Sequence, residues 1–217
     1  MTNHRALAAL LAYPEQDLID ALPELRRALA GAGRVDSQLG ALLDEMARED
    51  LVVLQERYVE LFDRSRALSL HLFEHVHGES RDRGQAMVDL ARSYASRGMQ
   101  VAGNELPDYL PAFLEFLSLV SPAEARGLTG EVADILRSLG DRLAERGSRY
   151  AAVFGALLAA GGEPGLSKRI APRATPAEES SPAAIDRAWM DAPVDFMDAP
   201  RPAAPQPVKF YPNGARR

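Results

Sequence analysis

The chain of 217 residues has no cysteine. Disulfides, thiolate nucleophiles, Cys-ligated zinc and iron–sulfur clusters are therefore excluded. Lysine is nearly absent too: of 25 basic residues only Lys168 and Lys209 are lysines, the rest being arginine. Trp189 is the single tryptophan. The formal net charge of −6 argues against a general affinity for nucleic-acid phosphates, which needs concentrated basic residues, and suits a partner that carries positive charge. No run approaches the ~20 apolar residues that a membrane-crossing helix requires. The short apolar run from Ala6 to Tyr13 is broken by Pro14 and followed at once by Glu15 and Asp17. It lacks a small-residue cleavage site, so it reads as a first helix and not as a secretory signal. There is no P-loop, no G-x-G-x-x-G, no G-x-S-x-G and no DNA-binding signature.

What is present is helical periodicity. Leu51, Leu54, Tyr58, Leu61 and Phe62 form one stripe, and Met87, Leu90, Ala91 and Tyr94 a second. Val132, Ile135, Leu136, Leu139 and Leu143 form a third. Each repeats at the 3.6-residue period of an amphipathic helix, and no long stretch alternates apolar with polar residues. Pro14, Pro107 and Pro122 sit where helices can start, because proline is tolerated in a first turn. Ser121 with Glu124 reads as a capping box, while Gly98, Gly103 and the pair Gly161 and Gly162 mark stops. The expectation is an all-α, single-domain bundle of about eight or nine helices without a fixed-period repeat. Composition changes near residue 163, and nine of the 15 prolines lie in residues 171–217. Residues 1–162 are expected to form the helical domain and 163–217 a flexible, proline-rich tail. Two islands interrupt that tail, residues 185–190 with Trp189 and residues 194–197 with Phe196.

Two segments concentrate the residues that carry chemistry. In the first, residues 58–90, three of the four histidines fall at His71, His75 and His77. The order from His71 to His75 matches H-x-x-E-H, in which two imidazoles on one helical face bind zinc and Glu74 serves as general base. A catalytic zinc needs a third protein ligand, and nothing singles out Glu131, Asp134 or Glu145. The large apolar spacers Leu72 and Phe73 equally fit a half-buried helix with hydrogen-bonded histidines. The run of Arg64, Arg66, Arg81 and Arg83 is interleaved with Asp63, Glu74, Glu79 and Asp82, as on a solvated face with local ion pairs.

The second segment is 104-NELPDYLPAFLEFLSLV-120. Asn104 can cap a helix there, Pro107 fits its first turn, and Glu105 and Asp108 place two carboxylates at its start. Two readings stand side by side. The helix dipole favours negative charge at that end, and the same carboxylates can pair with arginines of a bound peptide.

Taken together, 58-YVELFDRSRALSLHLFEHVHGESRDRGQAMVDL-90, the NELPDYLPAFLEFL segment and the opening ALLAYPEQDL closely resemble the NarJ-type assembly chaperones of respiratory nitrate reductase, within the wider TorD/DmsD-like group of redox-enzyme maturation proteins. The resemblance covers roughly residues 5–160. It implies an all-helical, cytoplasmic protein that is not an enzyme. It also implies binding of the N-terminal, leader-like segment of the apo catalytic (alpha) subunit and a role in molybdenum cofactor insertion and membrane assembly.

The family's Y-x-x-L-F segment maps onto Tyr58, Leu61 and Phe62. Its histidine- and glutamate-rich segment maps onto His71, Phe73, Glu74, His75, His77, Glu79, Arg81 and Arg83, and its E-L-P-D-[HY] segment onto Glu105, Leu106, Pro107, Asp108 and Tyr109. Tyr109 stands where relatives in the wider group often carry histidine, which weakens any role there that needs an imidazole. The resemblance assigns these residues to peptide binding, with no catalytic residue, resident cofactor or metal. The other readings of the chain are a zinc-dependent hydrolase built on His71, Glu74 and His75, and a scaffold for some other helix. A homodimer formed by segment exchange is compatible with a helical bundle that has a loose end.

Overall fold

Amphipathic helices stay folded by burying their apolar stripes against one another. The computed structural model, described here for residues 3–30, 35–76, 81–101 and 105–170, shows that solution. Its helices are α1 (Asn3–Leu11), α2 (Gln16–Leu29), α3 (Val35–Arg48), α4 (Leu51–Tyr58), α5 (Arg81–Ser96), α6 (Leu110–Leu117), α7 (Pro122–Glu131), α8 (Ala133–Glu145) and α9 (Ala151–Gly161). The described residues hold no strand, only one isolated antiparallel bridge between His71 and Tyr109. No helix among them is long and apolar enough to cross a membrane.

Helix α9 is the centre. Its sequence AAVFGALLAAG is apolar all round, and Val153, Phe154, Leu157 and Leu158 are fully buried. A helix without a polar face must be covered on every side, and α1, α3, α7 and α8 cover it. Helix α8 presents Leu136, Leu139 and Leu143 to it, and α1 packs in turn on α2 and α6. Helix α9 stops where Gly162 takes a left-handed conformation (φ 79°), which glycine reaches without a Cβ clash.

The start of α7 is as its sequence suggests. Pro122 occupies the first turn, and the Ser121 hydroxyl accepts the Glu124 N–H at 3.2 Å. The Glu124 carboxylate instead binds Arg97 beyond the end of α5, at 2.8 and 3.0 Å.

Two expectations are corrected. The H-x-x-E-H segment is not helical across its length: His71 is extended, and only Leu72–Glu74 forms one 3₁₀ turn. The cause is non-local. Leu72 N–H donates to the Asp108 carbonyl at 3.0 Å and Leu110 N–H to the Leu70 carbonyl at 2.8 Å, pinning the chain in extended form. Next, the helix after residue 104 does not begin around Pro107. Residues 107 and 108 form a turn, and α6 starts at Leu110 with Pro111 in its first turn. The α5 stripe lies on a helix as its period suggests, and is covered unevenly: Tyr94 is buried, Met87 and Leu90 are half-buried and Ala91 is exposed. Gly103, Asn104 and the two islands containing Trp189 and Phe196 lie outside the described residues.

Beyond α4 the helix widens. Val59–Asp63 is one π-helical turn closed by Arg64 N–H on the Val59 carbonyl at 3.0 Å. Such a turn accommodates an extra residue, and π-turns are frequent at functional sites. Here it carries Leu61 and Phe62 into the core, with the Phe62 ring 4.9 Å from that of Tyr58. After α9, residues 163–170 continue across the body, with Leu166 and Ile170 packed on the core.

Candidate functional site

The bridge between His71 and Tyr109 brings the two chemistry-bearing segments together. Asp108 is its keystone and is fully buried. One carboxylate oxygen lies 3.1 Å from His71 Nδ1, and the other accepts the Phe73 N–H at 3.1 Å. A buried carboxylate is costly unless its oxygens are hydrogen-bonded, and these partners meet that requirement. The hydrogen bond to Asp108 lifts the His71 imidazole above its ordinary value. Burial of the ring opposes that lift, and the charges of Asp108, Glu74 and Glu105 reinforce it. The expectation that Asp108 sits beside Glu105 as a surface carboxylate is therefore corrected. Glu105 is exposed, whereas Asp108 faces inward because two donors from the His71 segment meet it there.

An aromatic floor adjoins the bridge. The Tyr58 hydroxyl donates to the Leu11 carbonyl at 2.9 Å and lies 3.1 Å from the Tyr109 hydroxyl. Burial, and then the neighbouring Tyr109, raise the Tyr58 phenol well above its ordinary range. Burial raises Tyr109 as well, so both hydroxyls keep their protons and act as neutral hydrogen-bonding groups. Tyr58 also meets Tyr13 edge-on at 5.5 Å, and Phe62 meets Tyr150 edge-on at 5.2 Å. His71 lies 5.5 Å from the Tyr109 ring.

The remaining expected residues divide by place. Leu61 and Phe62 are buried, while Phe73, Glu74 and His75 are half-buried. Glu74 pairs with Arg83 at 3.6 Å, and His75 Nε2 lies 2.8 Å from the Ser69 carbonyl. Leu106 is 43% exposed, and Pro107 is half-buried with its carbonyl accepting the Tyr94 hydroxyl at 2.7 Å. His77, Glu79 and the side chain of Arg81 lie outside the described residues. The two imidazoles of the zinc reading do not share a helical face. Each ring has its own protein partner, and Glu74 is drawn to an arginine. Among the described residues no three His, Asp or Glu side chains are grouped to hold a metal.

Sequence reasoning missed Tyr13 and Asp63. Tyr13 is 43% exposed and rests on Tyr58. The charge of Asp63 acts on both Tyr58 and Tyr109, which places it at this site. Its position directly after Phe62 was the available signal, hidden in a run of mixed charge. Tyr150, set just before an alanine-rich helix, carried no signal at all. The assembled site is an aromatic and polar floor with exposed apolar groups and carboxylates beside it. Its described groups, hydrogen-bonded aromatic rings beside exposed carboxylates, can take part in apolar and charge-assisted contacts.

Comparison with known proteins places these features in context. Residues 15–156 match the family model described as nitrate reductase delta subunit. The chain is 41% identical, over 88% of its own length and 83% of the relative's, to the nitrate reductase molybdenum cofactor assembly chaperone NarJ of Escherichia coli (strain K12). It is 37% identical, over 89% and 83% of the two lengths, to the probable nitrate reductase molybdenum cofactor assembly chaperone NarW of the same strain. To the probable NarJ of Bacillus subtilis (strain 168) it is 31% identical over 71% and 85%.

Proposed function

The chain belongs to the nitrate reductase delta subunit family, and on that premise we propose that it is a system-specific assembly chaperone of a respiratory nitrate reductase. It binds the N-terminal, leader-like segment of the apo catalytic subunit in the cytoplasm. It holds that subunit for molybdenum cofactor insertion and membrane assembly, and performs no covalent chemistry itself.

The observation that carries this reading is the surface around the Tyr58–Tyr109 pair. Tyr13 and Leu106 are exposed apolar groups there, and the charges of Asp63 and Glu105 both act on Tyr109. A basic, amphipathic segment is complementary to such a surface: its apolar face meets Tyr13 and Leu106, and its arginines meet the carboxylates. The net charge of −6 assists the encounter at low salt. Asp108 is a positioning residue in this scheme. It fixes the His71 segment against the Tyr109 segment and does not touch the guest.

Calorimetry of the full chain against the leader peptide of the catalytic subunit tests the reading. Saturable binding is expected. In a Glu105→Gln, Asp63→Asn double variant it should weaken by about three- to tenfold at low salt, as for two exposed charge pairs, and by less at high salt. No binding by the unaltered chain would sink the proposal. Equal binding of an unrelated basic helix would favour a general scaffold.

A further inference from the structure

Residues 163–170 form a strap over the α8–α9 pair. Glu163 N–H donates to the Leu158 carbonyl at 2.9 Å, and Arg137 Nη2 donates to the Pro164 carbonyl at 3.4 Å. Leu166 then fills a notch beside Gly155 that exists because Gly140 has no side chain. A Cβ on Gly140 would lie 2.4 Å from Leu166 Cδ2, and one on Gly155 3.9 Å from Leu166 Cδ1. Two residues on, the Lys168 backbone N–H donates to Asp141 Oδ1 at 2.9 Å, and its ammonium lies 3.3 Å from Glu145. These contacts advance along α8 from Arg137 to Glu145 and retreat along α9 from Leu158 to Gly155, so the strap runs parallel to α8.

The strap is held in three distinct ways: an apolar side chain in a notch, a main-chain N–H on one carboxylate, and a cation on another. Those are the elements by which a groove recognises an extended peptide. Yet the hold is light. Of residues 163–170 only Glu163, Leu166 and Ile170 are even half-buried, and the ion pair of Lys168 with Glu145 is exposed on both sides. Exposed pairs contribute little, and segments with few buried contacts open readily.

We propose that the α8–α9 groove is a second peptide-binding site, occupied in the resting chain by its own strap. Its ligand is an extended polypeptide segment in which an apolar residue is followed two positions later by a cation. The strap is the intramolecular competitor that such a segment displaces. The site shares no residue with the one around His71 and Tyr109, so it stands or falls independently of the leader-binding reading.

The test uses the full chain and a fluorescent peptide, EPGLSKRI, copied from the strap. A tethered competitor acts at an effective concentration of about a millimolar. The unaltered chain should therefore bind the peptide about tenfold or more weakly than a Leu166→Gly, Lys168→Gly variant, whose strap no longer fits. In that opened background, Asp141→Asn with Glu145→Gln should cut binding by about tenfold. A probe carrying glutamate in place of its lysine should lose binding similarly.

A second variant, Lys168→Glu, changes only an exposed side chain and so guards against misfolding. It should speed hydrogen exchange of its own residue 168 amide and raise peptide binding. Native-like folded variants without saturable peptide binding would overturn the proposal. So would equal binding of the glutamate probe, or an unchanged residue 168 amide in Lys168→Glu.

Discussion

Helices α5 and α8 carry apolar stripes of the same period, yet the bundle covers them to different depths. In α8, Leu136, Leu139 and Leu143 are all at most 1% exposed, set against the wholly apolar α9. In α5 Tyr94 alone is buried among the described side chains, and Val88 is 45% exposed. Period reports which side of a helix is apolar. How completely that side is covered depends on what the rest of the chain brings to it. Helix α8 is held by area, whereas α5 is held by discrete contacts: Arg83 on Glu74 at its start and, near its end, the Tyr94 hydroxyl on Pro107, the Tyr94 ring 4.9 Å from Phe116, and Arg97 on Glu124.

If that contrast is right, substitutions should separate the two helices in size and in kind. Leu143→Ala should have the largest effect, a loss of about 2–5 kcal/mol by chemical denaturation, because a fully buried leucine leaves a cavity. Its cooperative transition should shift as a whole. Asp108→Ala should cost about 1–3 kcal/mol, since it strips partners from the Phe73 N–H and the His71 ring. Because Pro107 is the neighbour that anchors Tyr94, amide exchange should rise in α5 and stay unchanged in α8.

Asp108→Asn probes the same junction through pH. His71 in the folded chain titrates above its ordinary 6.5. Protonation therefore favours the fold, a contribution fully present below pH 6.5 and lost as pH rises through the folded-state value. With asparagine, that fall in stability above pH 6.5 should flatten, and the His71 titration followed by NMR should move downward. An unshifted His71 titration would break the assignment.

Smaller effects should follow on α5. Tyr94→Phe removes one hydrogen bond and should cost about 0.5–1.5 kcal/mol, again with faster exchange confined to α5. Val88→Ser should lie within about 0.5 kcal/mol of the unaltered chain. A destabilisation of several kcal/mol at Val88 would mean that α5 is buried after all and would erase the contrast.

The same distinction explains what could be read from the chain unaided. Helix type, the Ser121 cap and the core stripe of α8 follow from neighbours within a few positions, and those were legible. Burial of Asp108 depends on His71 and Phe73, 37 and 35 residues away. Near Asn104 and Pro107 the same carboxylate looked like a helix-start charge. The extended conformation of His71 has the same non-local origin, so a motif that fits a helix does not form one. The change of composition near residue 163 and the reach of packing are set by different things. Proline content marks the first, and the second extends at least to Ile170, which still rests on the core. Asp63 and Tyr13 were visible as letters, but their convergence on Tyr58 and Tyr109 was not.

The backbone hydrogen bonds that flank the His71–Tyr109 bridge, Leu72 to Asp108 and Leu110 to Leu70, also turn residues 72–108 into a closed loop, with α5 as cargo between its two ends. The entropy of closing a loop grows only with the logarithm of its length. Ten residues added within that span would cost only about a few tenths of a kcal/mol. Insertions between the two ends are thus cheap for the fold, so long as those ends still meet at one buried carboxylate.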